Sequence, residues 1–158
     1  MVTIRRCGKE DEKAVVELIS SVMSKEFQDA AKAYPTEDVE CIEKAYGGIG
    51  DAFFVAIDER QKVIGTVAIK KEDDRVALLR RLFVAPTHRN QKIGKKLLDR
   101  ALGFCRDVGY QELVFKTTSK MSGAIELCKR NGFAQRAHIA LGPIELLKFS
   151  LNVHPEKG

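Results

Sequence analysis

Residues 79–102 read LRRLFVAPTHRNQKIGKKLLDRAL. Leu79–Val84 is the apolar end of a strand, and Pro86 ends its pairing because proline has no N–H to give to a ladder. A basic loop follows. Ile93, Leu97, Leu98, Ala101, Leu102 and Cys105 then recur at spacings of four, one, three, one and three, which is one face of a helix. Gly109 is placed to stop that helix in a left-handed conformation, and ELVFKTT (112–118) reads as a buried strand. Strand, helix and strand at this spacing make a right-handed crossover between two parallel strands.

The flanking sequence supplies the rest of a sheet. VTIRR (2–6) alternates like an edge strand, and Ala14, Val15, Leu18, Ile19, Val22 and Met23 form one face of a helix from about Asp11. YPTEDVECIEKAYGG (34–48) predicts a second helix, opened by Pro35 and Thr36 and closed by Gly47 and Gly48. The apolar runs DAFFVAIDE, VIGTVAIK and VALLRRLFV are separated by ERQK and KEDD, the pattern of an antiparallel meander. SGAIELCKRNGF (122–133) is a last helix stopped at Gly132, with Phe133 packing back on Leu127 or Cys128. IELLKFSLN (144–152) is a final strand, and VHPEKG a frayed tail. The order predicts an α/β chain of the α+β kind, a mixed, mostly antiparallel sheet flanked by about four helices.

The basic loop poses an electrostatic problem. Arg89, Lys92, Lys95 and Lys96 crowd a helix start that already carries partial positive charge from unpaired N–H groups. A ligand phosphate resolves it: the free N–H groups and the dipole bind an anion, Gly94 lets the backbone approach closely, and Arg89, Lys92 and Lys95 add charge-assisted contacts. Lys96 reads as solvated. Neither G-x-x-x-x-G-K-[ST] nor G-x-G-x-x-G occurs, which excludes a P-loop and a dinucleotide fingerprint.

Bulk properties narrow the class further. The chain has 158 residues, 31% of them charged, and a net charge of +5, a balance that suits an anionic partner. HRNQKIGKK lacks the interleaved aromatics of a nucleic-acid surface. Cys7, Cys41, Cys105 and Cys128 have no metal-ligand spacing, so no metal is expected, and they read as reduced thiols. MVTIRRCGKE has no apolar signal-peptide core and no apolar run is long enough to cross a bilayer, so the expectation is a cytoplasmic protein without a membrane partner.

Taken together, these motifs resemble the GNAT superfamily of acyl-CoA-dependent N-acyltransferases. LRRLFVAPTHRNQKIGKKLLDRAL is similar to that family's fourth strand, pyrophosphate loop and third helix. The family's loop is commonly Q/R-x-x-G-x-G/A; here it is Arg89-Asn90-Gln91-Lys92-Ile93-Gly94. TTSKMSGAIELCKRNGF (117–133) resembles the exit of the fifth strand and the fourth helix, and IRRCGKEDEKAVVELI (4–19) the first strand and helix. The resemblance covers nearly the whole chain and implies one domain over residues 1–158, with fourth and fifth strands that splay apart.

The resemblance also assigns expectations residue by residue. The backbone of Leu82, Phe83 and Val84 would pair with the pantetheine arm of acetyl-CoA. The stretch Arg89, Asn90, Gln91, Lys92, Ile93, Gly94 and Lys95 would cradle the pyrophosphate, and Ser122 stands where an asparagine often touches the cofactor arm. The Val84 N–H would donate to the thioester oxygen. Lys92 replaces the family's first glycine, as a helical lysine still able to offer its N–H. Cys128 stands where a tyrosine often protonates the departing thiolate; its alternative reading is a small buried hydrophobe. His138 is the candidate general base, its alternative a surface histidine at a strand end, and Leu78 and Leu79 stand where some relatives place a glutamate. Tyr34, Glu37, Asp38, Glu40 and Tyr46 would line an entrance attracting a cationic amine. The implied partners are acetyl-CoA and a small amine acceptor, a free amine or amino acid, with a homodimer allowed. The alternatives are a non-catalytic acyl-CoA-binding module and a peptide or protein N-acetyltransferase.

Overall fold

A computed structural model describes residues 2–27 and 37–154. The strands are β1 (Thr3–Arg6), β2 (Ala52–Ile57), β3 (Val63–Lys71), β4 (Val76–Val84), β5 (Glu112–Thr118), β6 (Ala134–Leu141) and β7 (Ile144–Asn152). The helices are α1 (Glu12–Glu26), α2 (Glu37–Glu40), α3 (Ile42–Ala45), α4 (Ile93–Val108) and α5 (Ser122–Arg130). The predicted second helix is two short helical turns, broken at Cys41, whose φ of −145° and ψ of 74° are not helical. Its expected start at Pro35 and Thr36 lies outside the described residues.

The seven strands form one mixed sheet in the order β1-β2-β3-β4-β5-β7-β6. Every pair is antiparallel except β4 with β5, which α4 joins as the expected crossover. Gly109 closes α4 at φ 99°. Gly132, at φ 94°, closes α5, and the Phe133 N–H reaches back to the Cys128 carbonyl at 3.0 Å.

Helices cover both faces, so β2 is buried at all six positions, as a doubly covered strand must be. On one face Leu97, Leu98 and Ala101 of α4 pack with Phe54, Ile69, Leu79 and Leu113. On the other, Val15, Ile19 and Val22 of α1 and Val39 of α2 pack with Phe53, Val55 and Phe83. Leu97 and Leu98 have no exposed surface, and each such side chain contributes roughly 1.5–3 kcal/mol of burial.

Strand β4 contains the irregularity that matters most. Thr66 lies opposite Phe83 and Ala68 opposite Arg80, so one residue of β3 faces two of β4, Arg81 and Leu82. This is a β-bulge, and Arg81 adopts a left-handed φ of 53° within it, at a cost of about 1–2 kcal/mol for a residue with a Cβ. Tertiary contacts hold it there. The Thr66 hydroxyl donates to the Arg81 carbonyl at 2.6 Å, and the buried Arg81 guanidinium donates from Nε and Nη2 to the Asp38 carboxylate. The bulge shifts the side-chain alternation: Ala77 and Leu79 face α4, and after the bulge Leu82 and Val84 do, while Phe83 faces α1.

The sheet opens three residues ahead of the bulge. Pairing of β4 with β5 covers only Val76–Leu78 with Glu112–Val114. Each strand continues with its outer neighbour alone, β4 with β3 as far as Val84 and β5 with β7 as far as Thr118.

Asp38 also accepts from the Tyr46 hydroxyl. Burial pushes its carboxyl up, but the Arg81 and Tyr46 hydrogen bonds and the charges of Arg81 and Arg80 outweigh burial and hold it below the ordinary carboxylate value. A depressed carboxylate contributes stability that is present above its unfolded pKa, about 3.9, and lost as pH falls through its lower folded value. Asp38→Asn is therefore expected to destabilise the fold by about 3 kcal/mol at neutral pH, since it removes the countercharge from a buried guanidinium. Urea denaturation measured from pH 7 down to pH 3 should show the wild type and the variant converging in acid.

Candidate active site

The parted strands lead into a groove. A cavity of about 700 Å³ is bounded by Leu82, Phe83 and Val84 of β4, the loop and first turn of α4, Ser122–Ala124 and Leu127 of α5, and Val22, Glu26 and Phe27 at the end of α1. It shares Leu82, Phe83, Met121 and Ala124 with a second cavity of about 290 Å³, between Leu78–Phe83 and Phe115–Thr117. The two adjoin along the open edge of β4.

Backbone direction along β4 follows from its pairing. The Ala85 N–H bonds back to the Ile64 carbonyl of β3 at 2.8 Å, and successive residues of a strand turn their N–H and C=O to alternate sides. Val84 and Leu82 therefore present these groups to the groove, and Phe83 presents its own to β3. The Val84 carbonyl accepts Arg89 Nε at 3.2 Å, which agrees. Of the three expected backbone contacts, two face the groove.

The loop before α4 is built from left-handed residues that are not glycine. Asn90 has a φ of 64° and Lys92 a φ of 62°. Lys92 is the N-cap of α4, not a helical residue as the sequence suggested. Its left-handed backbone explains why glycine is usual there: only glycine enters this region without strain. The first intrahelical bond runs from the Lys96 N–H to the Lys92 carbonyl at 3.1 Å, so the N–H groups of Ile93, Gly94 and Lys95 have no intrahelical acceptor. In α5 the Ile125 N–H is bonded to Met121, which leaves those of Ser122, Gly123 and Ala124 ahead of it. Two helix starts thus converge on one groove, a geometry that favours an anion.

Side-chain charges are distributed differently from the expectation. Arg89 makes a bidentate pair with Glu26 of α1, tying the loop to α1. Lys95 bonds Asp99 at 2.8 Å and Asn131 at 2.6 Å. Lys92 lines the groove and makes no ion pair among the described residues. A Cβ placed on Gly94 would lie 3.1 Å from Leu127 Cδ2 and 3.8 Å from Val84 Cγ2, so this glycine sits where α4, α5 and β4 meet at the groove wall.

Four further expectations need correction. Cys128 is fully buried in the core beside Ile125 and does not line the groove. Desolvation there pushes its thiol up to about 12, a poor donor toward a thiolate whose acid form is ordinary, near 8.5. His138 lies on β6, beyond β7, and its exposed ring stands 3.4 Å from Glu145. Two strand spacings, about 10 Å, separate it from β5. Asp38 and Tyr46 do not form an acidic entrance, because Asp38 accepts from both the Tyr46 hydroxyl and the Arg81 guanidinium; Tyr34 lies outside the described residues. Gln91 is exposed and stands apart from the groove, which its neighbours Asn90 and Lys92 line. Among the described residues no tyrosine lines either cavity, and none of their lining groups forms a candidate metal cluster. Glu26 was missed, since a pair spanning 63 positions has no local sequence signal.

An open, mixed sheet parts between two parallel strands, with a helix start beneath the gap, the arrangement that the resemblance to the GNAT superfamily implies. Residues 14–133 match the model of the acetyltransferase (GNAT) family, and the chain belongs to that family. It is 31% identical over 122 residues to N-acetyltransferase 8 of Homo sapiens, covering 74% of this chain and 48% of that protein. The chain spans about half the length of the curated relatives it matches. A GNAT-family acetyltransferase of Staphylococcus aureus superposes with a TM-score of 0.84 at 25% identity, over 98% of this chain and 100% of that one. A phosphinothricin acetyltransferase of Sinorhizobium meliloti, solved with acetyl-CoA, shares the fold at a TM-score of 0.80 and 19% identity, over 99% of this chain and 94% of that one. Among the described residues no helix is long and apolar enough to cross a membrane.

Gly94→Val is expected to push against Leu127 and narrow the groove. Calorimetry should then show acetyl-CoA affinity reduced at least tenfold while the variant remains folded by circular dichroism. Unchanged affinity in a folded variant would remove Gly94 from the binding site.

Proposed function

We propose that the chain transfers the acetyl group of acetyl-CoA to the primary amine of a small molecule, by direct attack with both substrates bound. The observation that carries this reading is the pair of adjoining cavities that runs from the α4 start, along the open edge of β4, to the parting of β4 and β5. Acetyl-CoA would lie in it with its pyrophosphate on the N–H groups of Ile93, Gly94 and Lys95 and beside Lys92. A charge-assisted contact contributes about 1.5–3 kcal/mol, enough to offset the 1–2 kcal/mol or so of left-handed strain at Lys92. The backbone of Leu82 and Val84 would hold the pantetheine arm as an added strand. Ser122 would meet the arm at the start of α5.

Acetyl-CoA supplies the activated thioester. The Val84 N–H, directed into the groove, would donate to the carbonyl oxygen as negative charge develops there. The amine nitrogen forms the new C–N bond, the C–S bond breaks, sulfur leaves as thiolate, and the surplus ammonium proton passes to water. Ordering two substrates in adjoining cavities offsets ~7–11 kcal/mol of the barrier, so the reaction does not require a strong general acid. The small cavity at the parting of the strands favours a small acceptor over a folded protein. The reading fits a chain with free thiols, as all four cysteines have, and hence a cytoplasmic setting.

A second reading has one specific observation in its favour: Cys128 is in the core, and among the described residues no tyrosine replaces it in the groove. Under that reading the chain binds acyl-CoA without turnover. Release of CoA, followed with a thiol reagent against a panel of small amines, decides between them. Amine-dependent release supports transfer; tight acetyl-CoA binding with no release on any amine supports the module. Cys128→Ala is expected to keep kcat within about twofold while losing ~1 kcal/mol of stability. A large fall in kcat at unchanged acetyl-CoA affinity would return Cys128 to the chemistry.

A further inference from the structure

Resting on that transfer reaction, we propose that the acceptor is an α-amino carboxylate with an apolar side chain, and that Arg80 docks its carboxylate. The cavity at the parting of β4 and β5 is walled by Leu78, Leu79, Leu82, Phe115 and Met121, and among the described residues its lining has three cations, Arg80, Arg81 and Lys116, and no carboxylate. The charges facing these cations differ. Arg81 is buried and spent on Asp38. Lys116 lies 3.5 Å from Glu72, both of them well exposed. Arg80 is 41% exposed, and its one ionic neighbour among the described residues is Asp38, at 3.9 Å, too far for a hydrogen bond.

The Asp38 carboxylate already accepts two bonds from Arg81 and one from Tyr46, so little of it is left for Arg80. The Arg80 guanidinium instead rests over the Tyr46 ring, 5.9 Å from its centroid. That stacking orients the planar fork without consuming its donors. The bulge explains why two consecutive arginines reach one side of the sheet, leaving one neutralised and one facing the cavity.

A positive wall has two consequences for an amine. It repels an ammonium ion and favours the neutral amine, the form that attacks a thioester. It also attracts an acceptor that carries its own carboxylate, which a guanidinium binds through two parallel bonds. Arg80 and Val84 are about 13 Å apart along an extended strand. The bulge shortens that span, and the long Arg80 side chain together with an amino acid covers it.

The test compares leucine, methionine and phenylalanine with isoamylamine, 3-(methylthio)propylamine and 2-phenylethylamine, their decarboxylated counterparts. Two measurements are made on the full chain: acetyl-CoA-dependent acetylation, and calorimetric binding to the CoA-loaded protein. The wild type should prefer the amino acids at least tenfold in kcat/KM and in affinity. Arg80→Gln should abolish the preference at unchanged acetyl-CoA affinity and melting temperature, and Arg80→Lys should restore part of it. Equal or better use of the decarboxylated amines by the wild type, or a preference that survives Arg80→Gln, overturns the carboxylate site and leaves acetyl transfer standing. Arg80-dependent binding of the amino acids without acetylation supports the carboxylate site and overturns transfer. Absence of both turnover and Arg80-dependent binding overturns the carboxylate site.

Discussion

The site depends on one missing set of hydrogen bonds. Strands β4 and β5 pair through Leu78 and Val114 and then part, although each continues to pair on its outer side. Unpaired strand edges are normally costly inside a sheet, because buried N–H and C=O groups need partners. Here the inner edge of β4 borders a groove, where a ligand backbone or water can satisfy it. The same parting makes room for the small cavity beside Phe115 and Thr117. A fully zipped sheet would have a core but no such cavity.

The bulge lies just past the parting, and it is held by contacts from distant parts of the chain. A left-handed arginine is unfavourable by itself. The Thr66 hydroxyl and the Asp38 carboxylate, 15 positions before and 43 positions before Arg81, make that conformation the one the surroundings require. Strain of this kind persists only where packing over-determines it. The loop before α4 follows the same rule at Asn90 and Lys92, where the Arg89–Glu26 pair ties the chain to α1 on the adjacent side.

How much of this the sequence displays depends on the range of the interaction. The α4 helix, its glycine stop and the crossover to β5 are legible because they rest on spacing within one element. The loop and helix start proposed to hold the pyrophosphate are legible for the same reason, since helix start, cations and Gly94 are contiguous. The exclusion of Cys128 from the groove was also readable: it lies three residues after Ile125, on the core face of α5, whereas Gly123, Leu127 and Arg130 face the groove. The bulge was not legible, for no glycine marks the left-handed residue. Strand β6 gave little signal because all eight of its residues are exposed, so no alternation of burial shaped its sequence. The Glu26–Arg89 and Asp38–Arg81 pairs join segments that only the folded sheet brings together.

Electrostatics shows why composition alone misleads at the acceptor end. Counted along the chain, Glu37, Asp38 and Glu40 with Tyr46 look like an acidic patch that would draw in a cation. In the fold, Asp38 turns inward and its charge is cancelled by Arg81, while Tyr46 donates to it and lends its ring face to Arg80. The sign of the cavity wall is therefore set by the unequal partnering of two adjacent arginines rather than by the number of acids nearby. Had β4 kept regular alternation, Arg80 and Arg81 would face opposite sides of the sheet, and Asp38 could not neutralise one while the other stayed beside it. A single extra residue in one strand thus assigns the two arginines different work, Arg81 to the fold and Arg80 to the cavity.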